Sequence, residues 1–435
     1  MPEPLLEKKT TTSRLSRERI VAAAFRAWGQ THFAGTSLNM VARELGVTKP
    51  AVYRYFRGKE ELLDTLKTDF ATRATAEVVD PLFRSYGGGT AESTPEETIA
   101  LCEEYLQRVL AFYQENPYHY SFFAQVLLAA SPADHPAFRE LDRRQEALFS
   151  RYIADPMTRR YVTRSAAYWA TDHLRRDPDT GALSTAANFQ PERLTLTAEK
   201  QAQTIEMMSR RLIHGFLVQS DHGIDLEMVE RTAWLLPEEM PEPDRVFSAI
   251  ENVVEEIGYG GATVERIAAA VGITKSSLYH YFRNRNEMLE QVILRDQLHF
   301  AGLARIRLQQ LQHPREQLYA LFVLMTSYAA QHNAFMTVEN WLRQNEVIVE
   351  ISPRHIQEIQ RIFAFLAKML LDGQMVGDPN EAFGVIGFIR FSLLQELNAL
   401  PRPIRKDRCI EVARSVFTLF ARGIGSDIGS MRSSK

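Results

Sequence analysis

The chain has 435 residues, 45% of them hydrophobic and 24% charged, with a formal net charge of −3. That length predicts two or more domains able to bury large cores. The two cysteines, Cys102 and Cys409, stand far apart without ligand-forming neighbours, and no apolar run nears the roughly 18 residues of a membrane helix, which argues against a disulfide scaffold and a membrane span. With no apolar stretch near the N-terminus to act as a leader, a cytoplasmic protein is expected.

Residues 1–15 hold Lys8, Lys9 and Arg14 among threonines without periodicity, and fit either a disordered tail or a basic arm that tracks phosphate. A helix is expected over 16–31, with Ile20, Ala23, Ala24, Ala27 and Trp28 inward. Next, Leu38, Val41, Ala42 and Leu45 follow the spacing of one helix face, and Gly46 ends it, because glycine takes the left-handed conformation readily. Thr48 is expected to cap the following helix through its hydroxyl, and Pro50 falls in the first turn, where its missing N–H costs little. Val52 and Phe56 then face inward, Lys49, Tyr53 and Arg54 outward, with Tyr55 flanking. Two short helices joined by a glycine turn, the second offering basic and aromatic residues, read as a DNA-reading helix-turn-helix.

A long helix over 58–84 leads into a Gly-rich loop at 86–90, and helices follow through residue 220. The stripe Leu101, Tyr105, Leu106, Val109, Phe112 and Tyr113 marks one of them, opened by Pro95 with acids behind it. Residues 118–130 and the stretch up to Phe149 are helical between prolines, 177–193 is a polar loop, and 194–219 is a helix facing inward through Ile205, Met208, Leu212 and Phe216. Residues 221–244 read as a linker: helical over 226–236, where Val229, Ala233 and Trp234 can dock, then extended over the proline-rich 237–243. Such a linker spans roughly 50 Å.

The helix-turn-helix pattern then returns. Gly46 matches Gly272, Lys49 matches Lys275, Tyr53 matches Tyr279, Tyr55 and Phe56 match Tyr281 and Phe282, and Lys59 matches Arg285, every pair 226 positions apart without a gap. Helices are expected to follow over 285–312, 313–332, 334–349, 353–371, 382–397 and 405–424. The charge is unequal: residues 1–67 carry 12 Lys and Arg against 7 Asp and Glu, whereas 241–295 carry 6 against 8. Glu251, Glu255 and Glu256 fall on the first helix of the second copy, away from its basic strip of Arg266, Lys275, Arg283 and Arg285.

Both copies resemble the DNA-binding head of the TetR family of bacterial repressors. The first shows that pattern in Gly35-Thr36-Ser37, Val41-Ala42, Gly46-Val47-Thr48-Lys49, Tyr53, Tyr55-Phe56 and Lys59; the second shows it in Gly258-Tyr259, Thr263, Ile267-Ala268, Gly272-Ile273-Thr274-Lys275, Tyr279 and Tyr281-Phe282. The resemblance implies an all-α protein of two tandem units, each a three-helix head on a helical bundle. The expected division is a first head at 1–67, a bundle at 68–220, a linker at 221–243, a second head at 244–290 and a second bundle at 291–428. It also implies that Ser37, Tyr53, Tyr55 and Lys59 hold phosphates of double-stranded DNA, while Lys49, Pro50, Ala51 and Arg54 approach base edges. Their counterparts are Thr263, Lys275, Ser276, Ser277, Tyr279, His280, Tyr281 and Arg285. Tyr55 and Tyr281 could instead pack the head. Two unlike recognition helices in one chain point to an imperfect inverted repeat as operator.

The aromatic residues of the bundles are either core or the wall of a cavity for a small apolar or amphipathic effector that releases the repressor. The cavity candidates are Tyr105, Phe112, Tyr118, His119, Phe122 and Trp169 in the first bundle. In the second they are Tyr328, His332, Phe335, Asn340 and Trp341. No phosphate loop, nucleophile elbow, zinc motif or cysteine pair is present, and the 11 histidines are scattered, so neither enzyme activity nor a metal or other cofactor is expected. A family member normally pairs with a twin. Here the covalent second unit predicts an intramolecular pseudo-dimer through 194–219, 382–397 and 405–424, with a dimer of fused chains as the other assembly. A further alternative leaves DNA to the first head and dimerisation or a partner to the second unit.

Overall fold

The computed structural model describes residues 15–30, 37–87, 93–119, 135–174, 176, 196–218, 223–242, 245–257, 264–274, 285–332, 337 and 353–425. Among them there is no strand, and an isolated bridge joins Leu217 and Met375. In the first unit α1 (Arg17–Gln30), α2 (Leu38–Glu44) and α3 (Lys49–Tyr53) form the head. Then come α4 (Lys59–Ala74), α5 (Asp80–Tyr86), α6 (Pro95–Glu115), α7 (Pro136–Phe149), α8 (Pro156–Leu174) and α9 (Ala198–His214). After α10 (Leu226–Ala233), the second unit holds α11 (Arg245–Ile257), α12 (Val264–Val271), α13 (Arg285–Leu308) and α14 (Pro314–Gln331). It closes with α15 (Pro353–Ile362), α16 (Ala364–Leu371), α17 (Ala382–Leu397) and α18 (Lys406–Arg422).

Several boundaries differ from the pattern in the sequence, each for a local reason. The helix expected over 58–84 carries a π turn at Thr75–Val79. Pro81 follows, and a wider turn relieves the clash of its ring with the preceding turn. The stretch 353–371 breaks at Phe363, whose φ is −102° and ψ 21°. The helix expected to reach residue 219 stops at His214, because Gly215 takes φ 79°. Residues 237–239 form a 3₁₀ turn rather than extended chain. The linker is also docked: Val229, Ala233 and Leu235 are fully buried, and the Glu230 carboxylate accepts from the Tyr319 hydroxyl at 2.6 Å and from Arg414 at 2.5 and 2.7 Å.

The two bundles close on each other through α8, α9, α17 and α18. The helix α8 joins this interface beyond the three expected stretches, with Val162, Ala166, Trp169 and Ala170 buried. At its centre α9 and α18 end in equivalent glycines that cross. Phe216 N–H donates to the Phe420 carbonyl at 2.8 Å, and in return Ile424 N–H donates to Leu212 at 2.9 Å. A Cβ on Gly215 would overlap the carbonyl of Ala421, and one on Gly423 would overlap the carbonyl of Ile213. Each glycine thus meets the residue two before the other, which is a local two-fold relation inside one chain. Trp169 and Phe216 pack on Phe388, with ring centroids 5.1 and 5.8 Å away. Burying a ring of this kind contributes about 1.5–3 kcal/mol.

Candidate nucleic-acid interface

Ile20, Ala24, Val41, Val52 and Phe56, all fully buried, hold the three helices of the first head together. Ser37 is extended, and its hydroxyl accepts from Met40 N–H at 3.3 Å, so its side chain caps α2. At the turn Gly46 has φ 66°, Gly46 N–H donates to Arg43 at 3.0 Å, and Val47 N–H donates to Ala42 at 2.9 Å. No atom lies within 4 Å of a Cβ built there, so backbone conformation alone selects the glycine.

Thr48 does not cap α3 with its hydroxyl. Pro50 has no N–H to offer, and the N–H of Ala51 already donates to the Thr48 carbonyl at 3.0 Å. Lys49, Pro50, Tyr53 and Arg54 are exposed on one side of α3, with Ala51 half-buried between them. The Lys49 ammonium lies 5.4 Å from the centre of the Tyr53 ring, which is 44% exposed. Lys59, half-buried, opens α4. Tyr55 is half-buried, and its hydroxyl donates to the Leu15 carbonyl at 2.7 Å. That proton is therefore spent inside the head, and the ring braces the start of α1.

Arg17 had no signal in the sequence. Its guanidinium donates to the Tyr55 carbonyl at 2.9 Å and to Glu61 at 3.2 Å, and lies 4.3 Å from the centre of the Phe56 ring. It ties the end of α3 to α4. Glu61 also accepts from Arg57 N–H at 2.7 Å, and these donors, the backbone one first, hold its carboxyl below the usual range.

In the second head the turn repeats: Gly272 has φ 80°, Gly272 N–H donates to Ala269 at 3.0 Å, and Ile273 N–H donates to Ala268 at 3.0 Å. Thr263, Lys275, Ser276, Ser277, Tyr279, His280 and Tyr281 lie outside the described residues. Arg285 opens α13.

The expected cavity residues do not converge on one pocket. Tyr105 and Phe112 line a cavity of about 840 Å³ between α4, α6, α7, α8 and α17. Tyr118 and His119 line a separate cleft of about 350 Å³ beside α1, where His119 stacks on Phe25 at 3.9 Å. Trp169 belongs to the core between the units. Tyr328 and His332 are buried in the second unit, where His332 Nε2 meets Asp296 at 2.8 Å. Phe122, Phe335, Asn340 and Trp341 lie outside the described residues. Burial pushes the Cys102 thiol up to about 12 and that of Cys409 up to about 11, so neither is a ready nucleophile. Among the described residues no group of His, Cys, Asp and Glu could hold a metal, and no helix is long and apolar enough to cross a membrane.

Residues 20–66 and 246–292 each match the model of the bacterial regulatory proteins of the tetR family. The HTH-type transcriptional regulator UidR of Escherichia coli K12 is 26% identical over 149 residues, which are 32% of this chain and 70% of that protein. UidR of Shigella flexneri matches to the same extent, at 26% over 149 residues. Of solved structures, the ketosteroid transcriptional regulator KstR2 of Mycobacterium tuberculosis is 14% identical, covering 45% of this chain and 95% of its own, with a TM-score of 0.30. A TetR/AcrR-family regulator from Thermobifida fusca is 20% identical, covering 44% and 96%, with a TM-score of 0.29.

Proposed function

We propose that this chain, a helix-turn-helix transcriptional regulator of the tetR family with the family's DNA-binding segment present twice, works as a self-contained pseudo-dimer that represses transcription from an imperfect inverted repeat. The observation that carries this reading is the reciprocal closure of α9 and α18, where Phe216 donates to Phe420 and Ile424 to Leu212 within one chain. A family member that pairs its bundles holds two recognition helices at a set separation, and here one polypeptide supplies both.

Lys49, Pro50, Ala51 and Arg54 approach base edges in this account. Ser37, Tyr53 and Lys59 hold phosphates, and Tyr55 positions the helix through Leu15. Thr263, Lys275, Ser276, Ser277, Tyr279, His280, Tyr281 and Arg285 do the same at the other half-site. Work on chromosomal DNA requires the cytoplasm, and the protein carries out no catalysis.

A small amphipathic molecule in the 840 Å³ cavity releases the repressor. Phe70 and Ala74 of α4 and Val78 behind it line that cavity, and α4 begins at Lys59 in the head, so α4 is the lever. Only a ligand with unequal affinity for the DNA-bound and free states can move it.

A second reading, in which only the first head binds DNA, draws on the charge difference between the heads, 12 basic against 7 acidic residues in one and 6 against 8 in the other. Titration of a defined operator with Lys49→Ala and Lys275→Ala variants separates the two. Loss of affinity in both supports two reading heads; loss in the first alone supports the second reading.

A further inference from the structure

The lining of the large cavity has two characters. The wall from α4 and α6 is apolar, with Phe70, Val109 and Phe112, while α8 contributes Arg159, Arg160, Thr163 and Arg164. Helix α7 adds Phe138, Leu141 and Phe149 with several charged residues, and the other half of the molecule contributes Phe391 and Gln395 of α17, and Asn398 behind it. The cavity is thus completed by the covalent second unit.

Its ionisable lining is predominantly basic. Arg139, Arg143, Arg159, Arg160 and Arg164 face it, against Asp142 and Glu146. Arg159 is committed to Glu146 at 2.5 Å and to the carbonyl of Ile153 at 2.6 Å. Arg160 and Arg164 are different. Both hold one carboxylate, that of Glu396 on α17, which is not among the lining residues. Arg160 grips Glu396 with two bonds of 3.0 and 2.6 Å, and Arg164 reaches it at 2.5 Å. Asp142 adds a Coulombic attraction on Arg164, yet burial raises its own pKa, so it is the less willing partner. Two guanidiniums that share one carboxylate at the edge of an apolar chamber leave a net positive charge there, which favours a second anion.

We propose that the cavity takes an amphipathic carboxylate, its chain among Phe70, Val109 and Phe112 and its headgroup on Arg160 and Arg164, in competition with Glu396. This rests on reading the cavity as the effector site, and it adds the ligand class and the means of coupling. A carboxylate fits the planar fork of arginine in two-bond fashion, as Glu396 already does. A headgroup that takes the Nε and Nη2 donors of Arg160 and the Nη1 donor of Arg164 takes them from Glu396, so binding in that fork loosens an ionic clamp between the two units.

The test uses the full chain with dodecanoate, dodecanol and dodecyltrimethylammonium below their micellar concentrations, followed by calorimetry and thermal shift. Dodecanoate is expected to bind one per chain, at least tenfold tighter than dodecanol, and the cation not at all. Glu396→Gln, which frees the arginines, should tighten dodecanoate several-fold and leave dodecanol unchanged. Because removing the arginines alone strands Glu396, the variant to compare is Arg160→Gln with Arg164→Gln and Glu396→Gln together, in which the preference for the carboxylate should vanish. Equal binding of acid and alcohol, or preference for the cation, overturns the assignment. Binding of none of the three removes the cavity as an effector site as well. Preferential binding of dodecanoate that leaves operator affinity unchanged keeps the ligand class and removes the release mechanism.

Discussion

The rings of Phe216 and Phe420 stack 4.2 Å apart at an interplanar angle of 6°, and the backbone N–H of the first donates to the carbonyl of the second. One residue belongs to the end of the first bundle and the other to the end of the second, so this contact joins the halves where their closing helices cross. Phe216→Ala should therefore cost about 3–5 kcal/mol, the range for deleting a buried phenyl group. Urea unfolding measures this, and a loss below about 1 kcal/mol would mean that the rings are not packed as described.

Gly215 and Gly423 give a sharper test of the same crossing. Both have φ in the left-handed region and both lie against the other's backbone, so Gly215→Ala and Gly423→Ala each meet conformational strain and overlap together. Each should destabilise by more than the ~1 kcal/mol typical of an unfavourable φ alone. Gly46→Ala, at φ 66° with nothing within 4 Å, should cost less. Equal costs at the three sites would contradict the crossing.

The interface should also weaken in acid. Burial, ahead of the neighbouring charges, lowers the pKa of His173, which lies 3.7 Å from Glu381. The unfolded chain then takes up the histidine proton first, so this contribution is complete above the ordinary histidine value of about 6.5 and is lost as pH falls below it. Burial opposes ionisation of Glu381, but Arg211 beside it prevails and the pKa is lowered, so its contribution persists above the usual carboxylate range and fades at lower pH. His173→Gln should flatten the decline of melting temperature between pH 7 and 5. An unchanged slope would show that His173 is not the group responsible.

In the first head, Arg54→Ala should relax one half-site only and cost about 1–3 kcal/mol of operator binding, as for loss of a base contact. Arg17→Ala acts otherwise, since Arg17 touches Tyr55, Glu61 and Phe56 within the head. It should weaken binding to all sequences alike. Affinity measured on a panel of single-base operator variants separates the two, and a change of base preference in Arg17→Ala would contradict its role as a brace.

The heads were legible in the sequence because their signals are local. Gly46 and Gly272 each follow an apolar helix face, and both have the positive φ that such a position demands. The bundle stripe Leu101, Tyr105, Leu106, Val109, Phe112 and Tyr113 is buried throughout, as its spacing implied. What escaped was set by distant partners. Arg160 and Arg164 meet a carboxylate 236 and 232 residues away, which no periodicity encodes. Gly215 falls inside the helix expected over 194–219, and its φ of 79° accompanies the close crossing with Ala421. Thr48 failed as a cap because the proline that marks the helix start removed one donor and the backbone took the next.

Selection of binding sites from random DNA by the full chain, followed by hydroxyl-radical footprinting of the winning duplex at one chain per duplex, tests the central claim most directly. In the proposed reading the differing pairs Pro50 and Ser276, Ala51 and Ser277, and Arg54 and His280 are to address different groove edges, and the shared lysines and tyrosines are to dock alike. The account predicts two protected half-sites, related but unequal, with centres about one to one and a half helical turns apart. A perfectly symmetric consensus, or protection of a single half-site, would contradict it.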